Sequence, residues 1–334
     1  MRRRLPVAVA LMLVACSPDR AAPARAAAQP VERLIQANGV RLKVVDWGGR
    51  GPALVFLHGL ADNTHTFDDL APRFIDRYHV YAFDRRGHGG SELRGPFDTE
   101  TLVTDLSTLL DSLGIGSVSL VGHSLAGYEL IRFATRFPAR TRALVFLDAG
   151  YDYSDPVFAA GIAAYPVDMA PDQGATASPE AFSAWYHDAN WLDLQWTPAM
   201  RASVAESYRI LPGGRVEATF ADSLTAGFLM AAQEYRPQYD SVKAPVLAIF
   251  ARWPVAAMVK PDSPDSLRRR VVDWIRTYAT PIQDHAIARF HAGMPAARVV
   301  VLDSTNHYVM FARPDTVLAE MRAFLNPSPT AVRQ

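Results

Sequence analysis

The stretch from Leu120 to Leu130, LVGHSLAGYEL, sets a lone hydroxyl, Ser124, where an apolar run stops at Gly122 and a helical pattern begins. A serine on a sharp strand-to-helix turn projects its oxygen away from the sheet. Small neighbours, here Gly122 and Ala126, give such a crowded turn the room it needs. The helix that follows aims its free N–H groups at developing negative charge, so the Leu125 N–H is one expected oxyanion donor. A serine hydroxyl is a poor nucleophile near neutral pH unless a base stands within hydrogen-bond reach. The chain carries nine histidines, and no pair of them has convincing metal-ligand spacing. The competing reading of Ser124 is an ordinary turn residue capping the helix.

The elements that must position this serine follow a simple rhythm. Val31 to Gly49 gives two β-type runs joined by Asn38-Gly39, a dipeptide that favours the hairpin turn with positive φ at both central residues. Continuous apolar runs suited to strands buried on both faces follow at PALVFL, HVYAF, SVSLVG and ALVFL, then PVLAIF and RVVVL. Helical patterns lie between them, over Glu100–Leu113 and Tyr128–Phe137, and a last amphipathic helix is expected over Asp315–Leu325. This alternation implies a mostly parallel sheet covered on both faces. Residues 151–240 break the rhythm with tryptophans (Trp185, Trp191, Trp196), helical patches and no strong strand, and read as a helical insertion over one end of the sheet. A second irregular stretch, 251–295, is long for a crossover and is expected to hold one or more helices, such as Ser266–Tyr278. Ligands of such sheets bind beyond the carboxyl ends of the strands. The residues that matter are therefore His58-Gly59-Leu60, the loop from Asp84 to Ser91, Ser124, Asp148, the loop after Phe250, and His307.

Four pieces in this order, LHGL, DRRGHGGS, GHSLAG and STNHYVMFARPD, resemble the α/β-hydrolase superfamily. The resemblance runs from Val31 to Leu325 and implies an about eight-stranded, mostly parallel sheet flanked by helices, with a helical lid after the sixth strand. The elbow departs from the G-x-S-x-G pattern, because Ala126 stands where the second glycine is usual and Gly127 comes one later. By resemblance Ser124 is the nucleophile, His307 the base, and the N–H groups of Leu60 and Leu125 form the oxyanion hole. The acid stays open. In many relatives it follows the seventh strand, but here that strand runs into Arg252-Trp253-Pro254. Asp148, directly after the sixth strand, keeps the chain order Ser, Asp, His; Asp262 and Asp265, further along the later loop, are the alternatives. Asp84, Arg85 and Asp105 are read as loop braces, and His58 and His123 as residues that shape the site.

The implied chemistry is cleavage of a carboxylic ester or related acyl bond of a small molecule through an acyl-enzyme, with no metal or organic cofactor. Amidase, thioesterase, C–C hydrolase and perhydrolase chemistries use the same triad. A binding module that kept the fold is the reading from a different class. Charge excludes little else: 34 basic residues balance 34 acidic ones, which argues against a nucleic-acid partner. The N-terminus, MRRRLPVAVALMLVAC, has a basic start and an apolar run too short to stay as a membrane span, the shape of a secretory signal. Leu13-Val14-Ala15-Cys16 resembles the lipobox of bacterial lipoproteins, which implies lipidation of Cys16, the sole cysteine, and a membrane anchor in the cell envelope. Ser17 after it favours the outer membrane by the same resemblance; a periplasmic protein is the alternative. The expected divisions are a signal over 1–16, an Ala/Pro-rich tether over 17–30, the hydrolase domain over 31–326 and a tail over 327–334.

Overall fold

The computed structural model describes residues 29–325, apart from 169 and 221. Cys16, the signal, nearly all of the tether and the tail lie outside the described residues. β1 (Val31–Ala37) and β2 (Val40–Gly48) pair antiparallel through Asn38 (φ 44°) and Gly39 (φ 78°), the turn the dipeptide predicts. Next come β3 (Ala53–Leu57), β4 (His79–Phe83), α1 (Thr99–Ser112), β5 (Val118–His123), α2 (Ala126–Arg136) and β6 (Thr141–Leu147). The insertion contributes α3 (Pro156–Ala163), α4 (Pro179–Asn190), α5 (Pro198–Glu206), β7 (Tyr208–Ile210), β8 (Val216–Ala218) and α6 (Asp222–Glu234). The chain then returns through β9 (Val246–Ala251), α7 (Asp265–Trp274), α8 (Thr280–Gly293), β10 (Arg298–Leu302), the short α9 (Val309–Ala312) and α10 (Pro314–Leu325).

The main sheet has eight strands in the order β1-β2-β4-β3-β5-β6-β9-β10. Only the β1–β2 and β2–β4 pairs are antiparallel. Every residue of β3, β5 and β9 is buried, as continuous apolar runs in a sheet covered on both faces require. Alternate side chains feed two cores. Leu120 packs with α1, α2 and α8, while Val121 packs with α4, α5, α9 and α10.

One element differs from the sequence reading. The insertion carries a small antiparallel hairpin, β7 with β8, closed by Gly213 and Gly214 at positive φ. Strands of three residues are too short to show a period-two pattern. The stretch after β9 holds helices, as expected, and α7 passes through a π-helical turn, Ile275–Ala279, into α8. Pro281, which has no N–H to donate, sits just past that junction and obscures the continuity in the sequence.

The insertion is tied to the sheet by buried charge. Lys43 of β2 pairs with Glu206 of α5, and also faces Asp84 at 3.9 Å and Glu32 at 3.5 Å. His65 sits between Asp68 at 2.7 Å and Glu206 at 3.3 Å. Hydrogen bonds to these two carboxylates raise the His65 imidazolium to about 10. A histidine whose folded value is raised contributes stability below its unfolded value of about 6.5 and loses it as pH climbs through the folded value. Urea unfolding midpoints should therefore fall between about pH 6.5 and about pH 10. His65→Gln should remove that part of the slope; an unchanged slope would show that His65 carries no charge there.

Candidate active site

Three residues at the carboxyl ends of neighbouring strands hold left-handed backbone: Ala61 (φ 60°) after β3, Ser124 (φ 54°) after β5 and Asp148 (φ 44°) after β6. Non-glycine residues adopt this conformation at a cost, and it persists where the surroundings fix it. Here the surroundings are the sheet itself. The Ser124 N–H donates to the Leu147 carbonyl at 3.3 Å, and the Asp148 N–H to the Ile249 carbonyl at 2.7 Å. Each strand end is pinned to its neighbour just where the chain turns out of the sheet.

The tightness of the elbow rests on two glycines. A Cβ on Gly122 would lie 2.7 Å from Leu130 Cδ1 and 3.1 Å from Ala126 Cβ. A Cβ on Gly127 would lie 2.2 Å from the Gly150 nitrogen, so α2 touches backbone to backbone the loop that follows β6. Ala126 is accommodated, and the closest approach falls one residue later, at Gly127.

His307 reaches Ser124 from the loop between β10 and α9. Its Nε2 is 2.9 Å from Ser124 Oγ, and its Nδ1 is 2.6 Å from Asp148 Oδ2. The carboxylate fixes the tautomer: Nδ1–H donates to Asp148, leaving Nε2 bare to accept from the serine. Asp148 is fully buried, and its Oδ1 accepts from the Ala251 N–H at 2.9 Å and from the Tyr151 hydroxyl. Its Oδ2 also accepts from Trp253 Nε1 at 2.9 Å. Of the three acids considered from the sequence, Asp148 is the one beside the histidine, whereas Asp262 and Asp265 lie exposed on the loop before α7 and at its start. The position after β9 that lacks an acid is thus filled by a donor to the acid. Trp253 and Tyr151 were missed by sequence reasoning, and the RWP triplet in that loop was the available signal.

The loop after β3 completes the arrangement. The Gly59 backbone lies against Ser124, since a Cβ there would sit 3.2 Å from the serine Cβ. Among the described residues, neither the Leu60 nor the Leu125 N–H has a backbone acceptor outside regular helices and strands, which leaves both available at the elbow. Arg85 holds this loop: its guanidinium donates to the His58 carbonyl at 2.8 Å and the Gly59 carbonyl at 3.2 Å while paired with buried Glu129 of α2. His58 Nε2 in turn accepts the Arg85 N–H at 3.0 Å. Burial and the nearby Arg85 charge hold the His58 imidazolium well below the ordinary value, so the ring is neutral, as that acceptor role requires. Arg86 pairs with Asp105 of α1, and Asp84 accepts from the Thr64 and Gly90 N–H groups at 2.7 and 2.9 Å, so all three residues read as braces do brace. Burial pushes Asp84 up to about 6. His123 is buried beneath His307, their ring centres 4.7 Å apart, and burial lowers its imidazolium value against an opposing contact with Asp62. Tyr153, from the start of the insertion, is buried, and burial raises its hydroxyl above the ordinary tyrosine value.

Residues 54–320 match the family model described as the alpha/beta hydrolase family. The chain belongs to that family. Curated relatives of this hydrolase match over shorter stretches. The 2-(acetamidomethylene)succinate hydrolase of Mesorhizobium japonicum is 31% identical over 119 residues, 35% of this chain and 42% of that one. A non-heme chloroperoxidase of Kitasatospora aureofaciens is 38% identical over 115 residues, 34% of this chain and 42% of that one. The first relatives, uncharacterized mycobacterial proteins, are matched over 38% of their length. In fold the likeness extends much further. The crystal structure of an E-2-(acetamidomethylene)succinate hydrolase superposes with a TM-score of 0.68 at 23% identity, covering 89% of this chain and 99% of that one.

Asp148 should matter for the hydrolase fold as well as its site. Asp148→Ala would strand the Ala251 N–H and the Tyr151 hydroxyl in a dry interior and take the carboxylate from the half-buried Trp253 indole and His307 ring. We expect a loss of about 2–4 kcal/mol in urea unfolding, against a small change for exposed Asp262→Ala. Equal effects of the two substitutions would contradict this account.

Proposed function

We propose that the protein is a serine hydrolase cleaving a carboxylic ester or related acyl bond through an acyl-enzyme. The observation that carries the reading is the unbroken chain from Ser124 Oγ through the His307 ring to a buried, four-donor Asp148 carboxylate. His307 Nε2 takes the Ser124 proton as Oγ attacks the substrate carbonyl carbon. The Leu60 and Leu125 N–H groups receive the oxyanion, helped by the N-terminus of α2. Collapse expels the leaving alcohol, which takes the proton from His307. Water, deprotonated by the same nitrogen, then attacks the acyl carbon and releases Ser124. Asp148 holds the ring in its tautomer and stabilises the transient imidazolium, without itself accepting the proton.

A cavity of about 740 Å³ opens beside Leu60, between the core and the insertion. Phe182, Trp185, Tyr186, Val216 and Phe220 line it, which supports a small-molecule substrate with an apolar part. A serine nucleophile favours acyl transfer over the carboxylate-based opening of epoxides or displacement of halide. The lipobox-like Cys16 supports a companion proposal, that the enzyme works outside the cytoplasm on a lipid anchor in the cell envelope, the outer membrane favoured.

The test is labelling with a fluorophosphonate alongside turnover of aryl esters of graded acyl length. Wild-type protein should label and turn over esters, Ser124→Ala should do neither, and His307→Ala should label far more slowly. Asp148→Asn should cut turnover by about 10⁴-fold, because the amide favours the wrong histidine tautomer. A folded wild-type protein that resists both large and small phosphonates would instead indicate a binding module.

A further inference from the structure

The proton count beside the serine does not close with ordinary protonation states. His123 Nε2 lies 3.3 Å from the main-chain carbonyl oxygen of His307, an acceptor that only an N–H can satisfy. A neutral ring has one N–H, and giving it to that carbonyl leaves Nδ1 a bare lone pair, while giving it to Nδ1 leaves Nε2 bare against the carbonyl. Nδ1 faces Asp62 Oδ2 at 3.4 Å, and both side chains are 1% exposed. Among the described residues neither atom has a hydrogen-bond partner. The other oxygen of Asp62 accepts from the Tyr308 hydroxyl at 3.0 Å. Two bare acceptors in contact and out of water repel, and each lacks a donor; one proton between them satisfies both.

We propose that His123 and Asp62 hold one proton between them and through it act as positioning residues, fixing the oxyanion loop and the His307 backbone around Ser124. This inference rests on the serine-hydrolase reading above. The link joins three loops. Asp62 lies two residues after Leu60, His123 immediately precedes Ser124, and the His307 carbonyl belongs to the residue whose ring reaches the serine. Gly59 is threaded between them: a Cβ there would meet Asp62 Oδ2 at 2.8 Å, His123 Nδ1 at 3.0 Å and Ser124 Cβ at 3.2 Å. The proton belongs to the pair and not to either side chain. Around it stand His307 and Tyr308 from the loop after β10, Asp148 from the end of β6, and Tyr186 of α4, whose hydroxyl donates to the Ala61 carbonyl at 3.3 Å. Burial and the neighbouring Asp62 charge hold both tyrosine hydroxyls above the ordinary tyrosine value.

The sign of the pH effect follows. Loss of the shared proton as pH rises turns Nδ1 and Oδ2 into repelling neighbours and loosens the oxyanion loop, so turnover falls. Asparagine at 62 supplies a permanent N–H donor to Nδ1 and keeps a carbonyl for Tyr308.

The experiment measures kcat and KM for an aryl ester from acid through alkaline pH, with fluorophosphonate labelling of Ser124 on the same samples. Asp62→Asn should lose the fall in kcat with rising pH that the wild type shows. His123→Phe, which keeps ring shape and removes both hydrogen bonds, should lower kcat about 10- to 100-fold, with KM within about twofold. His123→Gln, whose amide can still donate to the His307 carbonyl, should recover most of that loss. An Asp62→Asn profile that superimposes on wild type overturns the shared proton, whether or not His123→Phe folds. Wild-type kcat in a folded His123→Phe overturns the positioning role. If wild-type Ser124 does not label at all, the hydrolase reading has failed and takes this inference with it. Labelling with unchanged variants overturns this inference alone.

Discussion

The structure is organised around one buried carboxylate. Asp148 is removed from water at the end of β6, where an anion is tolerable only if donors surround it. Those donors come from separate parts of the chain: the Tyr151 hydroxyl from the start of the insertion, the Ala251 N–H and Trp253 indole from β9 and its loop, and the His307 ring from beyond β10. Satisfying Asp148 therefore fixes how β6, β9 and β10 end relative to one another. His307 is aimed at Ser124 as one consequence of that requirement.

The same principle recurs one layer out. Arg85 and Glu129 form a buried ion pair between the loop after β4 and α2, and the remaining Arg85 donors go to the carbonyls of His58 and Gly59. A guanidinium with its donors spoken for in several directions acts as a rigid bracket. The loop after β3 is thus anchored to the helix that begins just after Ser124. With that loop and Ser124 fixed to one helix, the distance between them is set by α2 and not by loop flexibility. That is the condition the proposed oxyanion site needs to be preorganised.

The sequence made some of this legible because certain constraints act locally. The Asn38-Gly39 turn, the apolar strand runs, the junction at Ser124 and the histidine after the last strand each leave a mark within a few residues, and the structure places them where those marks point. What stayed illegible depends on contacts distant in the chain. Nothing around Arg252-Trp253 says that the indole donates to a residue over a hundred positions earlier, so an absent acid looked like a gap. The β7–β8 hairpin is too short for a pattern, and the continuity of α7 into α8 is masked by Pro281. His123 was identifiable as a site-shaping residue, but its partner, Asp62, became visible only when the loop after β3 was folded over it.

The elbow shows why motif departures should be judged by geometry. The usual second glycine is a requirement for room, and room is needed wherever the helix comes closest to its neighbour. In this chain that contact is between Gly127 and the backbone of Gly150, not at Ala126. Gly150 itself has φ 82°, in the loop that turns from Asp148 towards Tyr151 and Tyr153. The close packing of α2 on that loop is therefore part of what brings the Tyr151 hydroxyl to Asp148 and buries Tyr153 beside it. Shifting the small residue by one position keeps the turn sharp because the helix is pressed against a different piece of backbone. The altered motif and the buried tyrosines are two results of the same packing constraint.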